Sequence, residues 1–170
     1  MIHKPDYKSS PEYCLYYFNL VKEDDLTEAL EKSRDMTLEL ISAVPEEKEN
    51  YCYAEGKWTL KQVMSHIADC ERIYAYRALR FSRKDNTQLA GFEEDEYAVN
   101  SNTAQRSLKD IIEEYRTIRE ANIILFGYMT DEMLDFKGLA NDMLYTPRSL
   151  GWMAAGHNIH HCNIIKERYL

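Results

Sequence analysis

The chain has 170 residues, the size of one ordinary domain, and can bury a core without disulfide or zinc staples. With only 6 Gly and 4 Pro, collagen-like, linker-like and loop-rich β architectures are excluded. A balance of 21 basic against 29 acidic residues, net −8, speaks against nucleic acid or an anionic membrane as partner.

Residues 1–21 are rich in Tyr and contain Pro5 and Pro11. They predict an extended arm with a short helical turn, packed on the rest of a single domain over 1–170. The start of the chain has no apolar signal-like stretch, and no apolar run approaches the length of a membrane span. Four cysteines, none in a C-x-x-C pair, suit reduced thiols, so a cytoplasmic protein is expected.

A first long helix is predicted over 25–44. Asp25 with Glu28 reads as a capping box, Leu26 to Val44 repeat with a 3.6-residue period, and Pro45 stops it. Thr59 and Gln62 form a second capping box, opening a helix to about Arg83. Residues 89–106 are a long connection with a short helix near Glu93–Val99. Ser107 caps a third helix over 108–129, and Thr130-Asp131 opens a short one to about Phe136, ended by Gly138. Thr146 as N-cap with Pro147 at the first position starts a fourth long helix, to about Arg168. No convincing strand is seen. The fold predicted is all-α, a four-helix bundle with one long crossover connection after helix two.

Three of the five histidines crowd into five positions, at His157, His160 and His161. At about 100° per residue, His157 falls at the centre of the apolar stripe of the last helix, between Leu150 and Ile164. His161 lies at about +40°, still on the stripe, and His160 at about −60°, on its shoulder. Two imidazoles at i and i+4 on one buried face can converge on one metal ion; two hydrogen-bonded core histidines are the plainer alternative. On helix two, His66 sits at the edge of the inward face and can meet them, whereas His3 lies in the arm. Three His ligands with open positions suit zinc, nickel, iron or manganese. Asp69, Cys70, Arg77, His160 and Arg168 are candidates for orienting a ligand or touching substrate. Cys70 also reads as a small core residue, Asp69 as a surface acid, and the two arginines as partners of buried carboxylates.

The run from Tyr53 through Trp58, His66 and Arg72, continued by Tyr76-Arg77-Ala78-Leu79-Arg80-Phe81, resembles helix two of the DinB-like superfamily. Gly156-His157-Asn158-Ile159-His160-His161, continued to Leu170, resembles its last helix, and Gly91-Phe92-Glu93-Glu94-Asp95 extends the likeness. The resemblance implies up-down-down-up connectivity, frequent dimers, and a divalent metal on His66, His157 and His161. It also implies kinship with thiol S-transferases that use bacillithiol and with mycothiol-dependent isomerases. The expected function is therefore a metal-dependent transferase joining a low-molecular-weight thiol to an electrophile. Alternatives are a hydrolase on the same site, for which no base is evident, and a non-catalytic metal-binding stress protein. A small-molecule substrate and a homodimer are the expected partners, with no nucleic acid and no membrane.

Overall fold

The computed structural model describes residues 1–170, with every side chain but that of Tyr7. In chain order the helices are α1 (Cys14–Leu20), α2 (Leu26–Ser42), α3 (Leu60–Ser82), α4 (Glu94–Asn100), α5 (Leu108–Gly127), α6 (Asp131–Leu134) and α7 (Pro147–Arg168). The four long ones form the expected bundle, and their ends fall within two residues of the sequence expectation.

The caps explain where they start. Thr59 accepts from the Gln62 amide while Gln62 reaches back to the Thr59 amide, and Thr146 and Ser149 do the same for α7. At α2 only half of the predicted box forms. Asp25 accepts from the Thr27 and Glu28 amides, but Glu28 turns to Lys32, 2.7 Å away, and the Ile2 amide donates to Asp25 instead.

Pairing follows the register of the contacts. Leu26 and Thr37 of α2 meet Gly151 and Cys162 of α7 in turn, Lys61 and Glu71 of α3 meet Arg106, just before α5, and Arg119 of α5, and His66 of α3 meets His157 and His161 of α7. Helices α2 and α7 thus run parallel, as do α3 and α5, which is up-down-down-up. A parallel α3–α5 pair forces the chain to climb back about 34 Å, the length of α3, before α5 begins. The long crossover carrying α4 makes that return.

Two expectations are corrected. The N-terminal arm holds a true helix, α1, whose Cys14 and Phe18 are buried at i and i+4 against the bundle. The segment after α6 is a hairpin, β1 (Gly138–Ala140) paired antiparallel with β2 (Met143–Tyr145). Asn141 and Asp142, both at positive φ (51° and 58°), make its two-residue turn. Gly138 therefore opens a strand rather than ending a helix, and α6 stops at Leu134.

The first half of helix α7 is enclosed on every side, all residues from Pro147 to Asn158 being buried, while Asn163, Lys166, Glu167 and Arg168 are exposed. Small residues allow it. A Cβ on Gly156 would stand 2.2 Å from the Tyr17 carbonyl oxygen, so α1 can lie on α7 only over a glycine. The core is divided into two apolar clusters, one around Leu26, Phe81, Phe126 and Trp152, the other around Leu60, Met64, Ile111 and Ile165. Between them runs a polar waist.

Candidate metal centre

The waist is where the histidines lie. His66 and His157 are buried and His161 is half-buried. The Nε2 atoms of His66 and His161 each stand 3.1 Å from Nε2 of His157. One donor atom from each of the three lies within 4.8 Å of the others. No tautomer satisfies both contacts. Nε2 of His157 offers either one proton or one lone pair, and two nitrogens claim it. A divalent cation accepts all three lone pairs, so the donor set fits a metal ion.

Electrostatics agree. Burial, then the charge of His160, lowers the His66 pKa to about 4. Burial, then His66 and His160, lowers His161 to about 2, and burial followed by His161 and His66 lowers His157 well below its ordinary value. All three rings are neutral at pH 7, the form in which imidazole binds a metal.

Aromatic rings fix the imidazoles from outside. Trp58 lies 4.8 Å from the His66 ring, while Tyr17 and Tyr74 lie 5.7 Å and 5.9 Å from that of His157. On one side, a cavity of about 300 Å³ is lined by His161, Asp95, Trp58, Lys57 and Tyr53. On the other, a cavity of about 170 Å³ is lined by Tyr17, Tyr74, Glu94 and Arg77.

A model of the DinB superfamily matches residues 29–165. The chain belongs to the DinB superfamily. One relative of this chain, from Oceanobacillus iheyensis, is provisionally named a metal-dependent hydrolase. It is 27% identical over 99 residues, 57% of this chain and 56% of that relative. The match thus spans little more than half of that relative's length. YfiT from Bacillus subtilis, described as a probable metal-dependent hydrolase with an unusual four-helix bundle topology, superposes with a TM-score of 0.75. That match covers 97% of this chain and 90% of YfiT at 16% identity, a likeness of fold. No helix among the described residues is long and apolar enough to cross a membrane.

The other sequence candidates of this DinB member disperse. Cys70 is fully buried, its Sγ 3.7 Å from Nε2 of His66, and burial holds its thiol pKa well above the ordinary value. It packs in the core. Asp69 turns to Arg72, 3.7 Å away, instead of to a histidine. His160 bonds the Tyr16 hydroxyl through Nδ1 at 2.9 Å, beside the cluster. Arg168 lies at the rim, stacked 5.2 Å above Tyr53. Arg77 is buried but meets no carboxylate among the described residues; it donates to the Ala90 carbonyl oxygen at 2.9 Å.

Sequence reasoning missed Glu94 and Asp95, which α4 brings to the two cavities. The run Glu93-Glu94-Asp95 was visible, but its acids are exposed at the start of a short helix, and nothing local shows that two of them border cavities. Asp95 is fastened there by the Trp58 indole, which donates to it at 3.1 Å.

Proposed function

We propose that this DinB-superfamily chain is a divalent-metal-dependent hydrolase of a small molecule. The observation that carries the reading is Glu94. Its side chain is exposed and lines a cavity with Tyr17 and Tyr74, whose rings pack on His157. Burial, then the charges of Asp95 and Glu93, pushes its pKa up. A carboxyl shifted toward neutrality is suited to take a proton and return it to a leaving group.

His66, His157 and His161 would hold the cation, which supplies Lewis-acid polarisation and a lowered pKa for water. Trp58, Tyr17 and Tyr74 keep bulk water from the imidazoles. Glu94 accepts the proton of the attacking water. Lys57, lining the larger cavity, offsets negative charge that develops there. The metal-dependent hydrolase names borne by the Oceanobacillus relative and by YfiT agree with this reading.

Thiol transfer is the second reading. Lys57 at the larger cavity and Arg168 at its rim suit the carboxylates of a low-molecular-weight thiol. Here the metal alone would activate the nucleophile, and Glu94 would be dispensable.

One comparison separates them. Zinc- and nickel-loaded protein is assayed against ester and amide panels, and against bacillithiol, glutathione, coenzyme A and cysteine with a model electrophile. Metal-dependent hydrolysis that falls at least about 100-fold in Glu94→Gln, with metal content kept, is the expected result. Metal-dependent conjugation that survives Glu94→Gln would replace the hydrolase with the transferase. No turnover in either arm would leave a metal-binding stress protein.

A further inference from the structure

Arg77 is only 6% exposed, yet it makes one hydrogen bond, from Nη2 to the Ala90 carbonyl oxygen. A guanidinium carries five N–H donors. The rest of this fork finds no partner among the described residues, although none of its nitrogens is sealed off without one. Desolvating a cation without a counter-charge is costly, and chains bury arginine where a planar anion is to be met. By contrast, Arg119, also buried, spends its whole fork on Glu71, Ser33, Asn158 and main-chain carbonyls. Arg80, one turn on, is taken by Asp85 and Tyr76.

Arg77 lines the cavity of about 170 Å³ that also holds Tyr13, Tyr17, Tyr74, Tyr145 and Glu94. The Tyr13 and Tyr145 hydroxyls stand 2.5 Å apart, so one donates to the other, and the Tyr145 hydroxyl also reaches the Met143 Sδ at 3.9 Å. On its other side Arg77 borders a more open groove of about 420 Å³, which leads in from the surface. The inner space suits an end group rather than a whole drug-sized ligand. Of its lining residues Glu94 is the one acid and Arg77 the one cation, so the guanidinium is the group that an anion would meet.

We propose that Arg77 is the anchor for a substrate carboxylate, so that the molecule processed at the three-histidine site is an elongated organic acid. This deepens the hydrolase reading and rests on it for the reaction, but not for the binding. Tyr17 and Tyr74 bridge the two places, since each lines the cavity and packs on His157. Arg77 follows His66 by eleven residues on α3, about 16 Å along the axis. The carboxylate therefore binds at the end of the substrate remote from the three histidines, in the cavity whose wall also carries Glu94. Charge at that remote end, not at the leaving group, selects the substrate.

Calorimetric titration of the full-length, metal-stripped protein with hexanoate, hexanamide and inorganic phosphate tests it. Without a metal, a carboxylate has only the protein to bind. Hexanoate is expected to saturate at millimolar concentration and hexanamide to bind at least about tenfold more weakly. Arg77→Met abolishes the difference. Arg77→Lys, which keeps the charge but not the fork, keeps part of it, and serves if Arg77→Met fails to fold. Equal binding of the acid and the amide overturns the proposal. So does a preference that persists in Arg77→Met, one that appears only with metal present, or tighter binding of phosphate than of hexanoate. If carboxylate preference holds while no hydrolysis is found, the hydrolase reading fails and the anchor stands.

Discussion

Burial and partners, more than residue type, set the role of each histidine. His157 is surrounded by Tyr17, Tyr74, His66 and His161 and has no acid to stabilise a proton. Its lone pair is thus free for a cation. His160, one residue from His161, has the Tyr16 hydroxyl on Nδ1 and stands outside the converging nitrogens. These placements predict opposite outcomes for adjacent residues. His161→Ala should lose metal affinity by more than the ~10–100-fold that an outer-shell change costs. His160→Ala should retain metal. Elemental analysis of the dialysed proteins reads both, and an unchanged metal content in His161→Ala would overturn the ligand assignment. The pattern of i and i+4 on an apolar stripe made this pair legible in the sequence, because helical rotation is a local property. The convergence of His66 from another helix was legible only as an opportunity, since nothing local fixes how α3 meets α7.

At the scale of elements, the capping residues decide where each helix begins. Asp25 shows how a cap can also fasten a distant segment. Burial raises its pKa, but donation from the Ile2 and Glu28 amides, the N-terminal ammonium and the Thr27 amide outweigh it, and the net shift is downward. A depressed carboxyl pKa stabilises the fold above its unfolded value near 3.9, and that stability is lost as pH falls through the folded pKa. Asp25→Ala should therefore cost about 1 kcal/mol at pH 7 and progressively less below about pH 4. Urea unfolding of both proteins across pH checks this; a cost independent of pH would contradict it. The hairpin after α6 was hidden in the sequence because its strands are three residues long, too short to show an alternating pattern. Its Asn-Asp turn was the one local signal. Helix α1 was hidden by composition, since consecutive tyrosines and nearby prolines mask the two buried positions, Cys14 and Phe18.

For the whole molecule, the waist is the organising feature. Arg119 donates twice to Glu71, through Nη2 at 2.6 Å and Nε at 3.0 Å, and also bonds Ser33 on α2 and Asn158 on α7. One side chain thus ties α5 to the other three long helices, next to His157. Breaking a buried pair leaves an uncompensated charge, so Arg119→Met should destabilise by about 3–5 kcal/mol. The paired change Glu71→Leu with Arg119→Met should recover most of that loss, because no charge is stranded. Denaturant titration measures both, and a double variant no better than the single would refute the coupling. Arg119 and Asn122 lie on a helix whose sequence reads as an ordinary amphipathic surface helix. Charge in a sequence reads as solvation unless a partner is known, and the partner here is forty-eight residues away. The same holds for Asp95, whose partner Trp58 is thirty-seven residues away. By itself the sequence determined the long helices, their caps, the all-α class and the inward pair His157 and His161, because each follows from rotation, propensity and hydrogen bonding within a few residues. Only the tertiary structure decided which polar groups are buried and what they face. Desolvation and charge pairing depend on distances between segments, and those are set when the bundle closes.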